Sequence, residues 1–99
     1  MPFAATGPVR VRTVYRGHAL QSPENVVIDP ANGNLLVANA NDNRLVEITA
    51  GGKVVASVDL ARHQAAGALF GLAIGTNRAG QLVLYYGNSD TNTLHELVL

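Results

Sequence analysis

From residue 22 to residue 48 the chain reads SPENVVIDPANGNLLVANANDNRLVEI: three short apolar runs parted by two polar turns. Residues 25–29 (NVVID), 34–39 (NLLVAN) and 44–48 (RLVEI) have strand length, and β-branched residues dominate the first. The first turn, Pro30-Ala31-Asn32-Gly33, shows its mechanism. Proline presets φ, and the Asn-Gly pair tolerates positive φ. The second, residues 40–43 (ANDN), is rich in side chains that bond their own backbone. After Ala50-Gly51-Gly52, residues 53–60 (KVVASVDL) form a fourth strand in which polar residues return. Upstream, residues 9–15 (VRVRTVY) alternate valine with arginine or threonine, the period of a strand with one wet face. Residues 1–8 carry two prolines and a glycine and predict irregular structure. Residues 17–24 read as a loop closing at Ser22-Pro23, and 61–68 (ARHQAAGA) as a loop or a short helix broken by Gly67.

The pattern then repeats. Residues 71–75 (GLAIG) match 25–29, residues 81–86 (QLVLYY) match 34–39, and residues 93–97 (TLHEL) match 44–48. Gly33 and Gly80 precede the second strand of each set, Asn41 and Asn88 open the following turn, and Glu47 and Glu96 sit in the third strand. A repeat of this length suits arrays of four-stranded units. The inner strands are apolar on both faces, so both faces need cover. No amphipathic helical segment of useful length is present to supply it. Like sheets stacked around an axis cover one another, which predicts an all-β protein built of β-propeller blades with the polar fourth strand at the rim. The expected organisation is a single two-blade unit over residues 1–99: blade one over 22–60, blade two over 69–98, and 9–15 as a closing outer strand.

The stretch SPENVVIDPANGNLLVANANDNRLVEI resembles an NHL-type propeller blade, and LFGLAIGTNRAGQLVLYYGNSDTNTLHEL is similar to a terminal blade of bacterial NHL propellers. The resemblance spans residues 22–97. Glu24 stands where that pattern has glycine, and Asn39 where it commonly has aspartate. The resemblance implies ligand or metal binding at the end of a central channel. RNA binding occurs in some such propellers.

Strand order adds an inference. One outer strand precedes a full set of four, and three inner strands follow with no outer one. Two blades cannot close a ring, and their open faces and edges are association sites. Two assemblies fit. Three chains can form a six-bladed ring in which each N-terminal strand completes a neighbour's last blade, or the chain is the C-terminal piece of a longer propeller.

Composition changes the picture in few places. Of 99 residues, 47% are hydrophobic and 14% charged, which excludes a disordered tail. Seven basic and seven acidic residues cancel, so no overall field draws the chain to nucleic acid or an anionic membrane. Arg10, Arg12 and Arg16 read as the charged face of an edge strand. Without cysteine there is neither a disulfide framework nor a thiolate metal site. No apolar run reaches the roughly 18 residues of a membrane span. The N-terminus lacks the layout of a signal peptide, so the expected location is the cytoplasm.

The loop before the first strand and the turn between second and third strands emerge together in this architecture. They gather Arg16, His18, Glu24, Asn25, Asn41, Asp42, Arg62, His63, Asn88 and Asp90 as a candidate ligand face. Two functions follow. One is a non-enzymatic binding or interaction module for a small molecule or protein, with no catalytic residue, no resident metal and no cofactor. The other is a lactonase-like or lyase-like enzyme in which Glu24, Asn25 and Asn88 supply hard oxygens to Ca²⁺. Against the second, Leu69 and Gly71 stand in the second repeat where the first has Glu24 and Asn25. Asn25 then reads as a backbone-satisfying residue, and 39–43 as turn formers. His18, His63 and His95 lack metal-type spacing, and His95 occupies a position equivalent to Val46, expected to be buried and hydrogen-bonded. There is no nucleophile elbow, phosphate loop or dinucleotide fingerprint. A sugar site would need aromatic platforms, and the chain has no tryptophan.

Overall fold

The structure is a computed structural model, described here for residues 7–62 and 64–99. It is all-β, with seven strands: β1 Pro23–Ile28, β2 Leu35–Asn39, β3 Arg44–Ile48, β4 Val54–Asp59, β5 Leu69–Thr76, β6 Leu82–Asn88 and β7 Thr93–Val98. Consecutive strands pair antiparallel into two separate sheets: sheet 1 in the order β1-β2-β3-β4, sheet 2 in the order β5-β6-β7. No α-helix occurs among the described residues, and 61–68 is turn and loop where it is described. No helix of the described residues is long and apolar enough to cross a membrane.

The hairpin turns use the chemistry anticipated for them. Asp29 Oδ1 accepts from Ala31 N at 2.9 Å, and Gly33 at φ 75° donates its N–H to Asp29 O at 2.8 Å. Asn43 and Asn92 end the two β–β turns at φ 56° and 55°, a conformation that asparagine tolerates better than other side chains do. Pro23 starts β1 opposite Asn39 instead of ending the loop before it. An edge strand accepts a missing N–H at its first residue.

Two faces of each sheet must be kept apart. Val27, Leu36 and Leu45 lie on what we call the leading face of sheet 1. They pack against Leu72, Ile74, Leu84 and Leu97 on the trailing face of sheet 2. Each fully buried aliphatic side chain at this junction contributes about 1.5–3 kcal/mol. On the trailing face of sheet 1, Val37, Val46 and Ile48 are covered by Val14, Tyr15, Ala19 and Leu20 from the N-terminal segment. The leading face of sheet 2 carries Phe70, Ala73, Tyr85, Leu94 and Val98, with the exposed carboxylate of Glu96 beside Tyr85. Val83 on this face is buried, but Phe70 is 64% and Leu94 77% exposed. The expectation that both faces of every inner strand are covered therefore holds for β2 and fails for this side of sheet 2 and for β1, where Val26 and Ile28 are exposed.

Within the single chain, residues 9–15 form no strand. The alternation of valine and arginine suits a strand, but a strand needs a ladder partner, and this segment pairs with neither sheet. It is held instead by side chains and one close backbone approach. Arg12 Nη2 donates to Ala50 O at 2.9 Å, Val14 and Tyr15 enter the core, and Gly52 sits under the carbonyl of Val14. Sheet 2 accordingly has three strands, with β7 an open edge.

The ladders also correct the repeat alignment. The rung Val26–Val37–Val46 corresponds to Leu72–Tyr86–His95, and Ile28–Leu35–Ile48 to Ile74–Leu84–Leu97. The β5–β6 hairpin continues for two more rungs, to Thr76 opposite Leu82. Asn88 is thus the counterpart of Asn39, not of Asn41. His95 keeps its counterpart, Val46, but is exposed.

Candidate functional site

Four connecting segments meet at one end of the two sheets, tied by hydrogen bonds. Ala40 N donates to Ser22 O at 2.8 Å and Asn41 N to Gln21 O at 3.1 Å, which fastens the first loop to the β2–β3 turn. Gly67 N donates to Ala40 O at 2.6 Å, carrying the link to the loop before β5. Ser89 N then donates to Ala68 O at 2.8 Å, repeating in sheet 2 the clasp between Ala40 and Ser22. Asp90 Oδ2 accepts from Ala65 N at 3.2 Å.

The candidate residues distribute over this end as follows. Arg16, His18, Asn41 and Arg62 are exposed. Glu24 is exposed where the β1 register shifts, between Pro23 and Asn25. Asn25 is half-buried within β1, opposite Ala38. Asp42 is half-buried, and its Oδ1 accepts from Arg44 N at 3.1 Å. Asn88 is buried, and its Oδ1 accepts from Asp90 N at 3.0 Å and Thr91 N at 3.2 Å. Asp90 is exposed apart from its bond to Ala65. His63 lies outside the described residues.

Among the described residues, Asp42, Asn88 and Asp90 each have one side-chain oxygen engaged by backbone N–H groups, and Glu24, Asn25 and Asn41 do not. The bonds of Asp42 and Asn88 are Asx turns that build the scaffold. Among the described residues no three His, Cys, Asp or Glu side chains come together as a metal site.

Two asparagines carry more of this end than the sequence reveals. Asn43 is 3% exposed; its Nδ2 donates to Ala65 O at 2.7 Å and its Oδ1 accepts from Leu69 N at 3.0 Å. It joins the two sheets through the loop that leads into β5. Asn39 is fully buried and donates from Nδ2 to Ala19 O at 2.8 Å, while its Oδ1 has no partner. The amide in place of the aspartate common in the resembling pattern is explained by that donation, since a carboxylate facing a carbonyl oxygen would repel it.

The second surface is apolar. Phe70, Ala73, Tyr85, Gly87 and Leu94 line a shallow hollow of about 290 Å³ on the leading face of sheet 2. On the opposite side Tyr86 stacks on His95 with ring centroids 5.1 Å apart, and Thr93 Oγ1 lies 2.8 Å from His95 Nε2. Burial raises the Tyr86 pKa above the ordinary tyrosine value. His95 is thus hydrogen-bonded as expected, but it forms the exposed lid of an aromatic pair. An open blade face is what a two-blade unit predicts; that these residues line it follows from the ladders.

Comparison of the chain with known protein families, with curated proteins and with solved structures finds no match.

Proposed function

We propose that the chain is a non-enzymatic interaction module made of two blades of an NHL-like β-propeller. One observation carries this reading. Two sheets of like strand order stack leading face on trailing face, and the last leading face stays open, with Phe70 and Leu94 exposed on it beside Glu96. Monomeric proteins rarely leave contiguous apolar surface bare, and such surfaces mark association sites. The ring-shaped context is supported by the repeat, by the both-sided apolar β2 and by the missing fourth strand of sheet 2. At the loop end, Asn43, Asn88, Asp42 and Asp90 hold backbone groups, which supports a scaffolding role there over the holding of an ion.

Titration calorimetry with Ca²⁺ and Zn²⁺ at millimolar concentration tests the reading. The expected result is no binding heat with either metal. Saturable heat that disappears in Glu24→Gln would overturn it in favour of a metal-dependent enzyme.

A further inference from the structure

The contact between the two sheets is made once within the chain, and the parts for making it again are left over at both ends. On sheet 1 the leading-face residues are Val27, Leu36 and Leu45. Their ladder counterparts on sheet 2 are Ala73, Tyr85 and Leu94, on the open face beside Phe70. On sheet 2 the trailing-face residues Leu72 and Ile74 of the first strand receive sheet 1. Their counterparts on sheet 1 are Val26 and Ile28, and these are 54% and 60% exposed. The N-terminal segment covers Val37, Val46 and Ile48 further across that face and leaves Val26 and Ile28 bare. Each chain thus ends in an unused leading face on one side and a partly unused trailing face on the other.

The geometry points to a second copy of this chain as the occupant of the Phe70–Leu94 face. Its Val26 and Ile28 lie on Ala73, Tyr85 and Leu94, as Leu72 and Ile74 lie on Val27, Leu36 and Leu45 within one chain. The contact continues an interface that the fold already forms, and it is head-to-tail: a copy offers one surface and receives on a different one. An apolar contact suits a chain whose formal net charge is zero, because no overall repulsion between copies opposes it. The inference rests on the interaction-module reading and names its partner.

Sedimentation velocity on the intact chain and on two variants provides the test. Leu94→Arg damages only the leading surface, and Ile28→Arg only the trailing one. Both side chains are more than half exposed in the single chain, so circular dichroism should be unchanged. The intact chain should sediment as an assembly of two or more copies, with three expected for a closed ring, and each variant should sediment as a monomer. An equal mixture of the variants should regain a species of two chains, because one undamaged surface of each kind remains. An intact chain that is monomeric at its highest soluble concentration overturns the inference. So does Ile28→Arg with unchanged mass, which would indicate a symmetric contact through Phe70 and Leu94, or a mixture that stays monomeric. Should an arginine variant lose its strand signal, Leu94→Gln and Val26→Gln take its place under the same outcomes. The metal titration does not depend on mass, so failure of self-association and failure of the module reading are told apart.

Discussion

The ring of Tyr85 rests on Gly75 of the neighbouring strand, its Cε2 3.3 Å from where a side-chain carbon on that glycine would stand. Gly75 pairs with Val83, so Tyr85 reaches it diagonally, and the aromatic ring covers backbone that glycine leaves bare. Tyr85→Ala should cost about 1–3 kcal/mol in urea unfolding, from lost burial on a half-open face. Gly75→Ala should stay within about 0.5 kcal/mol, because only the ring must shift and it borders solvent. A larger loss for the glycine variant would mean that the ring is wedged in place.

Gly52 stands at φ 94°, and a Cβ there would lie 2.3 Å from the carbonyl oxygen of Val14. Neither the backbone angle nor the space admits a side chain. Gly52→Ala should therefore cost about 1–3 kcal/mol. It should also loosen residues 14–20 from sheet 1, measured as faster tryptic cleavage after Arg12 and Arg16.

Asn43 and Asn92 share the same turn position and the same positive φ, but only Asn43 is buried and bonded to a second sheet. Asn43→Ala leaves Leu69 N and Ala65 O without partners and should cost about 2–3 kcal/mol in thermal or urea unfolding. Asn92→Ala, at an exposed site, should cost about 1 kcal/mol or less, from the left-handed backbone alone. Equal losses would show that the turn conformation, not the bridging bonds, is what Asn43 supplies.

Burial holds the Tyr86 hydroxyl protonated to a higher pH than a free tyrosine. The unfolded chain then releases that proton first, so stability attributable to this group is complete below the ordinary tyrosine pKa. It is lost as pH rises through the higher folded value. Ultraviolet titration should show one of the three tyrosines ionising late, and Tyr86→Phe should remove that late phase. A late phase that persists in the variant assigns it to Tyr15 or Tyr85.

The strands themselves were legible because turn chemistry and apolar runs agree at each boundary. Asp29 bonds back to its turn, Gly33 and Asn43 take the positive φ that glycine and asparagine tolerate, and strands form between them. Residues 9–15 alternate as a strand does but pair with neither sheet of their own chain: alternation reports a preference for one wet face, while a strand exists only where a ladder partner is within reach. The identity of Asn88 as the counterpart of Asn39 was hidden by the length of the β5–β6 hairpin, which a comparison of landmarks between repeats does not register. At the loop end, residue types indicated polar turns, but they did not distinguish Asn43, which bridges two sheets, from Asn41, which faces solvent. An open face was expected of a two-blade unit, but that Phe70 and Leu94 stand exposed on it was not, since bare and covered apolar strands are spelled alike.

The cover over Val37, Val46 and Ile48 comes from Val14 to Leu20, a stretch with no regular pairing of its own. Folding of the first sheet is therefore mortgaged to residues that belong to no strand. A shortened version of the chain starting at Ser22 would keep every rung of both ladders and still lose Val14, Tyr15, Ala19 and Leu20 from over Val37, Val46 and Ile48. Substitutions in that stretch will register as weakened folding long before they touch any ligand.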